Sequence, residues 1–368
     1  MTITEVRTHR LVAPLHTPFK TALRETTTTE TLVVRIVHAD GTYGLGEAPQ
    51  VWRVTGESMA SAEAVIDTML RPLLVGRDPD ELAVLLREVA GAVPGNHNAK
   101  AAIDVALHDL SARRLGVPLV RLLGGAALTV PTDVTLAAGT AESLAAAAAE
   151  RTAEGFSVVK LKVGTGAAAD DVARVRAVRD AVGPGVTIRL DANQGWDARS
   201  AVRAITAMED AGLDVELVEQ PVPAHDIAGL GWVTDRVATP ILADESVFSV
   251  RDLLRVIDRR AADMVNVKLA KCGGLAPARA LLELARAHDM GTMVGSMMEG
   301  PVGVAAAASL VAAYPTTVVS DLDAAWWLAS APVRGGVRYA AGTVALSDAP
   351  GLGIELESAV TGLPLSDA

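Results

Sequence analysis

Cysteine is nearly missing from this chain. Cys272 stands alone among 368 residues, which excludes an intrachain disulfide and a cysteine-built zinc site. Aromatic residues are sparse, with five Trp, three Tyr and three Phe, too few for the stacking platforms that hold single-stranded nucleic acid. Positive charge is in deficit. There are 33 Lys and Arg against 44 Asp and Glu, a net charge of −11, which argues against nucleic acid and anionic membrane as partners. Long apolar runs are lacking too. The most apolar window, 302–314, is too short to span a bilayer and reads as a buried helix. The start, MTITEVRTHRLVAPL, alternates polar and apolar residues and reads as a strand rather than a signal peptide. A soluble, cytoplasmic protein is expected.

What is present supports a large core, because half the residues are apolar and 21% are charged. Residues 1–125 begin with strand-like stretches at 3–14, 30–38 and 42–47, the last two joined by an Asp40-Gly41 turn. Helical patterns follow at 58–70, 80–90 and 97–115. Strands first and helices after predict an α+β domain. Beyond residue 130 short apolar runs at 158–163, 186–190, 215–218, 241–242, 264–267, 292–294 and 317–319 alternate with Ala-, Leu- and Arg-rich helical stretches. That alternation predicts parallel βαβ units closed into a (β/α)8-type barrel over 126–325. A doubly wound sheet is the competing architecture, but no GxGxxG opens a helix after a strand. The tail, 326–368, returns to short strand-like pieces and is expected to pack back on the first domain.

Each apolar run carries or leads into a polar group. Lys162, Asp191, Glu219, Asp244, Lys268, Ser296 and Asp321 follow one another at intervals of 24 to 29 residues, one βα unit each. In a barrel these strand ends converge on one mouth, where active sites lie. Asp191, Glu219 and Asp244 come from three adjacent strands. Three carboxylates gathered there repel one another unless a cation neutralises them. All-oxygen ligands favour a hard divalent ion, Mg²⁺ first and Mn²⁺ second. Lys160 and Lys162, two apart, share a strand face with Lys268 expected across the mouth. Two ammonium groups so close are expected to depress each other's pKa, and a depressed lysine serves as a general base near neutral pH. A substrate carboxylate on the cation makes the neighbouring Cα–H acidic through an enediolate. Lysines on opposite faces then support epimerisation or racemisation, or a related elimination or cycloisomerisation.

The segments KLKVG, DANQGW, VEQPV, ADESVF and NVKLAKCGG occur in this order. In them the chain resembles the muconate-lactonising subgroup of the enolase superfamily, over essentially its whole length. The resemblance implies an α/β fold: an α+β capping domain on a modified (β/α)7β TIM barrel. It implies Asp191, Glu219 and Asp244 as Mg²⁺ ligands and Lys162 and Lys268 as the acid/base pair. Lys160 would support the substrate carboxylate, and Lys271 would stand behind the reacting groups. A homo-oligomer is implied as well. The subgroup spans muconate cycloisomerases, o-succinylbenzoate synthases, N-acylamino acid racemases and dipeptide epimerases.

Asp321-Leu322-Asp323 resembles the DxD motif with which dipeptide epimerases hold the free α-ammonium. Muconate and succinylbenzoate, being dianions, have no use for two acids there, and an acylated amino acid has no ammonium. Arg24, in FKTALRETTT, matches the position at which L-Ala-D/L-Glu epimerases bind the distal carboxylate, and Arg53, in VWRVTGES, is its rival. Thr135 and Ser296 are expected to line the pocket. The expected activity is a Mg²⁺-dependent dipeptide epimerase, L-Ala-D/L-Glu or related, by two-lysine 1,1-proton transfer. N-acylamino acid racemase, o-succinylbenzoate synthase and muconate cycloisomerase are the alternatives on the same site. A Schiff-base aldolase or a carboxylate-binding protein would leave the three acids or the lysine pair without a use. One departure stands out: Asp323 is followed by Ala324-Ala325-Trp326-Trp327, where the family commonly has a proline. Those tryptophans are expected to reshape the pocket. His97, His108 and His288 read as structural, and Gly273-Gly274 as a tight βα turn.

Overall fold

The structure, a computed structural model, describes residues 1–20, 25–164, 166–331 and 333–356. Arg24 lies outside the described residues. Three antiparallel strands, β1 (Ile3–Lys20), β2 (Glu25–His38) and β3 (Tyr43–Pro49), form the first sheet. The Asp40-Gly41 turn joins the last two as expected: Gly41 takes φ +88°, and Thr42 N donates to Asp40 Oδ1 at 2.8 Å.

Helix His97–Arg114 crosses this sheet with almost every residue buried. Glycine makes the crossing possible. A Cβ on Gly46 would lie 1.8 Å from Ala102 O, and one on Gly44 would lie 2.1 Å from Ala106 O. Backbone on both sides leaves nothing to yield. Gly46→Ala is therefore expected to destabilise the protein by about 3 kcal/mol or more, at the upper end of core overpacking. Chemical denaturation measures it; an unchanged midpoint would contradict the close packing.

The short strand β4 (Thr129–Pro131) precedes seven parallel strands in chain order: β5 (Val134–Leu136), β6 (Val158–Lys162), β7 (Thr187–Asp191), β8 (Val215–Glu219), β9 (Ile241–Ala243), β10 (Met264–Lys268) and β11 (Gly291–Gly295). Helices follow each strand, from Ala141–Ala153 after β5 to Pro301–Ala313 after β11. The eighth position is slight. Ser320 bridges Thr132 and Asp321 bridges Gly295, which closes the ring. The strand expected at 317–319 does not form. Thr317 exchanges hydrogen bonds with Thr292, and Thr316 Oγ1 donates to Val318 O, so side chains compete with a regular ladder. The result is a (β/α)7β barrel under an antiparallel cap, as the resemblance implied.

Beyond the barrel, β12 (Val333–Gly335) pairs with β15 (Ile354–Leu356), while β13 (Arg338–Ala340) and β14 (Thr343–Ala345) extend β4. Leu352 N donates to Asp109 Oδ1 of the capping helix at 2.7 Å. No helix among the described residues is long and apolar enough to cross a membrane.

Inside the barrel, Leu217, Leu242, Met264 and Met293 plug the end away from the mouth. Arg189 lies fully buried, held by Glu216 at 2.5 Å, Asp133 at 3.1 Å and Val319 O at 2.6 Å. A buried guanidinium needs acids of this kind beside it, and here Nε and Nη1 are paired while Nη2 finds no partner. The layer above it is almost entirely ionic.

Candidate active site

Parallel register sets that layer. Lys162 sits opposite Asp191, and Asp191 opposite Glu219. Asp244 follows β9 directly, and Lys268 ends β10. Period-two alternation turns Lys160 with Lys162, and Asn266 with Lys268, toward the inside. Lys162 Nζ donates to Asp191 Oδ2 at 2.6 Å, and Lys268 Nζ donates to Asp244 Oδ2 at 2.7 Å. Lys160 Nζ bonds Asp321 and stands 3.6 Å from Glu219 Oε2. Asn266 Nδ2 donates to Glu219 Oε1 at 2.6 Å.

Burial and charge set the protonation. Burial alone would pull Lys160 and Lys268 down, but acids surround both. Asp321 and Glu219 hold Lys160 well above the ordinary lysine range, and Asp244 and Glu219 hold Lys268 above it. Mutual depression of Lys160 and Lys162 was expected; for Lys160 the sign is reversed, because carboxylates outnumber ammonium groups around it. Burial, with Asp191 adding repulsion, pushes Glu219 up to about 7. Burial works the same way on Asp244, but Lys268 and Lys271 hold it below the usual carboxylate range.

Among the described residues, no three His, Cys, Asp or Glu side chains as they stand are disposed to hold one metal ion. Ammonium groups lie against Asp191 and Asp244 and near Glu219 instead. The donors still fit a hard divalent cation. Asp191, Glu219 and Asp244 offer only oxygen, and the buried Glu219 Oε2 has no hydrogen-bond partner.

A cleft opens above this layer. Lys160, Lys162, Asp244, Lys268, Asp321 and Asp323 line it from the barrel, and Phe19, Val51, Arg53 and Val54 from the cap. Thr135 and Ser296 line it too, as expected. Thr135 N donates to Asp323 Oδ2 at 2.7 Å, and Ser296 N to Asp321 O at 2.8 Å, so both fix the DxD segment. Lys160 overcomes burial to hold Asp321 below its usual range, whereas burial and Asp321 push Asp323 up.

The tryptophans are not among the side chains that line the cleft, but Trp327 touches two that are. Trp327 Nε1 donates to Asp323 Oδ2 at 3.0 Å, and its ring meets Phe19 edge-on with centroids 5.0 Å apart. Both tryptophans belong to a short 3-10 turn, Ala324–Trp327, from which Trp327 braces Asp323 and Phe19 while Trp326 packs edge-on against Trp327.

Three contributors, Gln220, Glu245 and Asn266, escaped the sequence reading, and Asn193, visible beside Asp191 at its strand end, had no role assigned. Gln220 Oε1 accepts from Asp244 N at 2.9 Å, and Asn193 N donates to Asp191 Oδ1 at 2.9 Å. Glu245, pushed by burial up to about 8, and Asn266 complete the set. Asn266 was findable, being two residues before Lys268 on the same face. Lys271 stands behind the reacting groups as implied: its Nζ donates to Asp244 O, Val247 O and Asn266 O. His97 packs against Phe248, and His108 Nδ1 donates to Asp104 O at 2.8 Å, both structural. Gly273 and Gly274, φ +98° and +117°, make the tight turn, and Asp104 takes the following Leu275 amide at 2.6 Å.

Residues 3–124 match the mandelate racemase / muconate lactonizing enzyme N-terminal domain, and 143–360 match the enolase C-terminal domain-like family. The chain is 43% identical to the L-Ala-D/L-Glu epimerase of Bacillus subtilis over 96% of its own length and 97% of that protein. The substrate-liganded structure of that enzyme superposes with a TM-score of 0.93, covering 96% of this chain and 99% of that one. A dipeptide epimerase from Enterococcus faecalis, complexed with Mg and L-Leu-L-Tyr, superposes at 0.90 with 37% identity, covering 96% of this chain and all of that one. In sequence, fold and the layout of its barrel mouth, this chain belongs to the mandelate racemase / muconate lactonizing enzyme family.

Proposed function

We propose that this chain is a Mg²⁺-dependent dipeptide epimerase that inverts the Cα of the C-terminal residue. The observation that carries the reading is the pair Lys162 and Lys268, on β6 and β10, with three strands between them and one cleft above. Two bases on opposite sides of a carbon are what inversion requires. In one turnover the neutral amine of one lysine takes the Cα proton, and the ammonium of the other returns a proton to the opposite face. Asp191, Glu219 and Asp244 would hold the cation, with Mn²⁺ as a substitute. Bound there, it supplies positive charge for the substrate carboxylate and for the charge that develops on it as the proton leaves.

Charge bookkeeping supports a dipeptide with a free amino end. Lys160 and Asp321 pair with each other. A substrate that brings a carboxylate to Lys160 and an ammonium to Asp321 replaces one internal pair by two external ones without burying net charge. Asp323 would share the ammonium. Thr135 and Ser296 would hold that wall in place. For this function we divide the chain into a capping domain (1–125), a barrel (126–325) and a C-terminal segment (326–368). The family resemblance supports a homo-oligomer.

Arg24 would take the side-chain carboxylate of an acidic C-terminal residue, making Ala-Glu the first substrate to try. Removing one partner of such a pair typically costs about 2–5 kcal/mol. Arg24→Ala should then lower kcat/KM for Ala-Glu by about 30-fold or more, at tenfold per ~1.4 kcal/mol, with Ala-Leu little changed. Arg53 lines the cleft and supports a second assignment. A loss confined to Arg53→Ala would move the carboxylate there. N-acetylating the dipeptide should remove most activity; equal turnover of both forms would favour the N-acylamino acid racemase.

A further inference from the structure

Buried acids of the cap take the N-termini of barrel helices. Asp104 does so for Leu275–Ala287. Glu47, at the inner end of β3, does so for Pro301–Ala313: it accepts from Gly300 N at 2.7 Å and from Gly303 N at 2.9 Å. Glu299, just before that helix, accepts from Met297 N at 3.1 Å. A Cβ at Gly300 would lie 2.7 Å from Glu47 Oε1, and one at Gly303 would lie 2.1 Å from Glu299 Oε2. Both carboxyls, 4% and 3% exposed, therefore press on one helical turn. Residues 296–298 line the cleft and lead straight into it.

We propose that Glu47 and Glu299 are positioning residues that lock the 296–298 wall of the substrate cleft to the capping domain. The inference rests on the reading of that cleft as a dipeptide site. A helix N-terminus favours one negative charge beside it, and two in a dry pocket repel. Burial raises both carboxyls, and Glu47 adds to the rise that brings Glu299 to about 8. Besides Glu47, Glu299 faces Lys268 of β10, Asp321 beyond β11 and Tyr339 of β13. Glu47 faces the Thr31 hydroxyl and the helix amides. Near neutral pH Glu299 keeps its proton, while the amides of Gly300 and Gly303 favour the charged form of Glu47. The sign follows. Glu299 is raised on folding, so its contribution to stability is complete below its ordinary value of 4.5 and is lost as pH rises to about 8, when the proton passes to solvent. Above that pH the two charges push the wall and the cap apart.

The test follows thermal unfolding and Ala-Glu turnover of the full-length, Mg²⁺-loaded protein between about pH 6 and pH 9.5. Wild type should lose Tm and gain about tenfold in KM across the window, while Glu299→Gln flattens both curves. Glu47→Gln leaves one buried amide facing an amide; KM should rise about tenfold at every pH, with kcat within about twofold. The same Tm slope in Glu299→Gln as in wild type would overturn the proposal. So would a kcat loss without a KM change in Glu47→Gln. The unfolding series needs no substrate. A flattened Tm curve together with no dipeptide turnover in wild type would refute the dipeptide reading and leave the clasp standing.

Discussion

Lys268→Ala should abolish epimerisation, and Lys162→Ala should do the same. Each lysine lies against an acid of the layer, at 2.7 Å and 2.6 Å, so each is held at the mouth from its own side. A positioned general acid or base contributes about 10²–10⁴-fold. Inversion needs both, so removing either should cost at least the upper end of that range. The two variants should differ in a second readout. With one base left, each can still exchange the α-proton of one epimer with solvent. Incubation in D₂O with L- and D-configured Ala-Glu, read by mass, should show opposite epimer preferences for the two variants. Wild-type inversion by Lys268→Ala would end the two-base mechanism. Loss of exchange for both epimers in both variants would point to a damaged site rather than a missing base.

Chelation should remove turnover, and Mg²⁺ should restore it. Asp191 and Glu219 are paired in register, Asp244 follows on the next strand, and all three are buried. Negative charge collects there out of water and against its own repulsion: burial first, and Asp191 after it, push Glu219 up to about 7. A cation that binds only the folded chain stabilises it, by about 2.7 kcal/mol at a hundred times its dissociation constant. Wild type should therefore gain Tm on adding Mg²⁺. Glu219→Gln keeps the shape and its contact with Asn266 but drops the charge, and should lose both the Tm gain and at least about 10³-fold in kcat. Full turnover by exhaustively chelated protein would overturn the cation requirement.

Much of this site is legible one residue at a time. Lys162, Asp191, Glu219, Asp244 and Lys268 announce themselves because a polar group closes each apolar run at one-βα spacing, and strand ends in a barrel have one place to go. The DxD pair was readable as a motif, and the cleft does contain both acids. The eighth strand was misplaced by a few residues, since Thr316 and Thr317 spend their hydrogen-bonding capacity locally, which apolar patterning does not register. Trp327 was readable as a neighbour of Asp323, but that its indole donates to that carboxylate and packs on Phe19 of the cap only the fold shows.

The sequence by itself determined which groups face inward, because alternation along a strand leaves Lys160 and Lys162 no choice of face. It determined the order of the groups around the mouth, because parallel strands joined by helical crossovers keep chain order here. Tertiary structure decided what those groups do to one another. Lys160 meets Asp321 across 161 residues of chain, and Glu47 meets Gly300 across 253. The protonation of Lys160, Lys268 and Glu299 depends on distance and on loss of water, and neither is written in the spacing of residues. Pattern fixes direction and succession, whereas electrostatics depends on separations between strands, and those exist only once the barrel has closed.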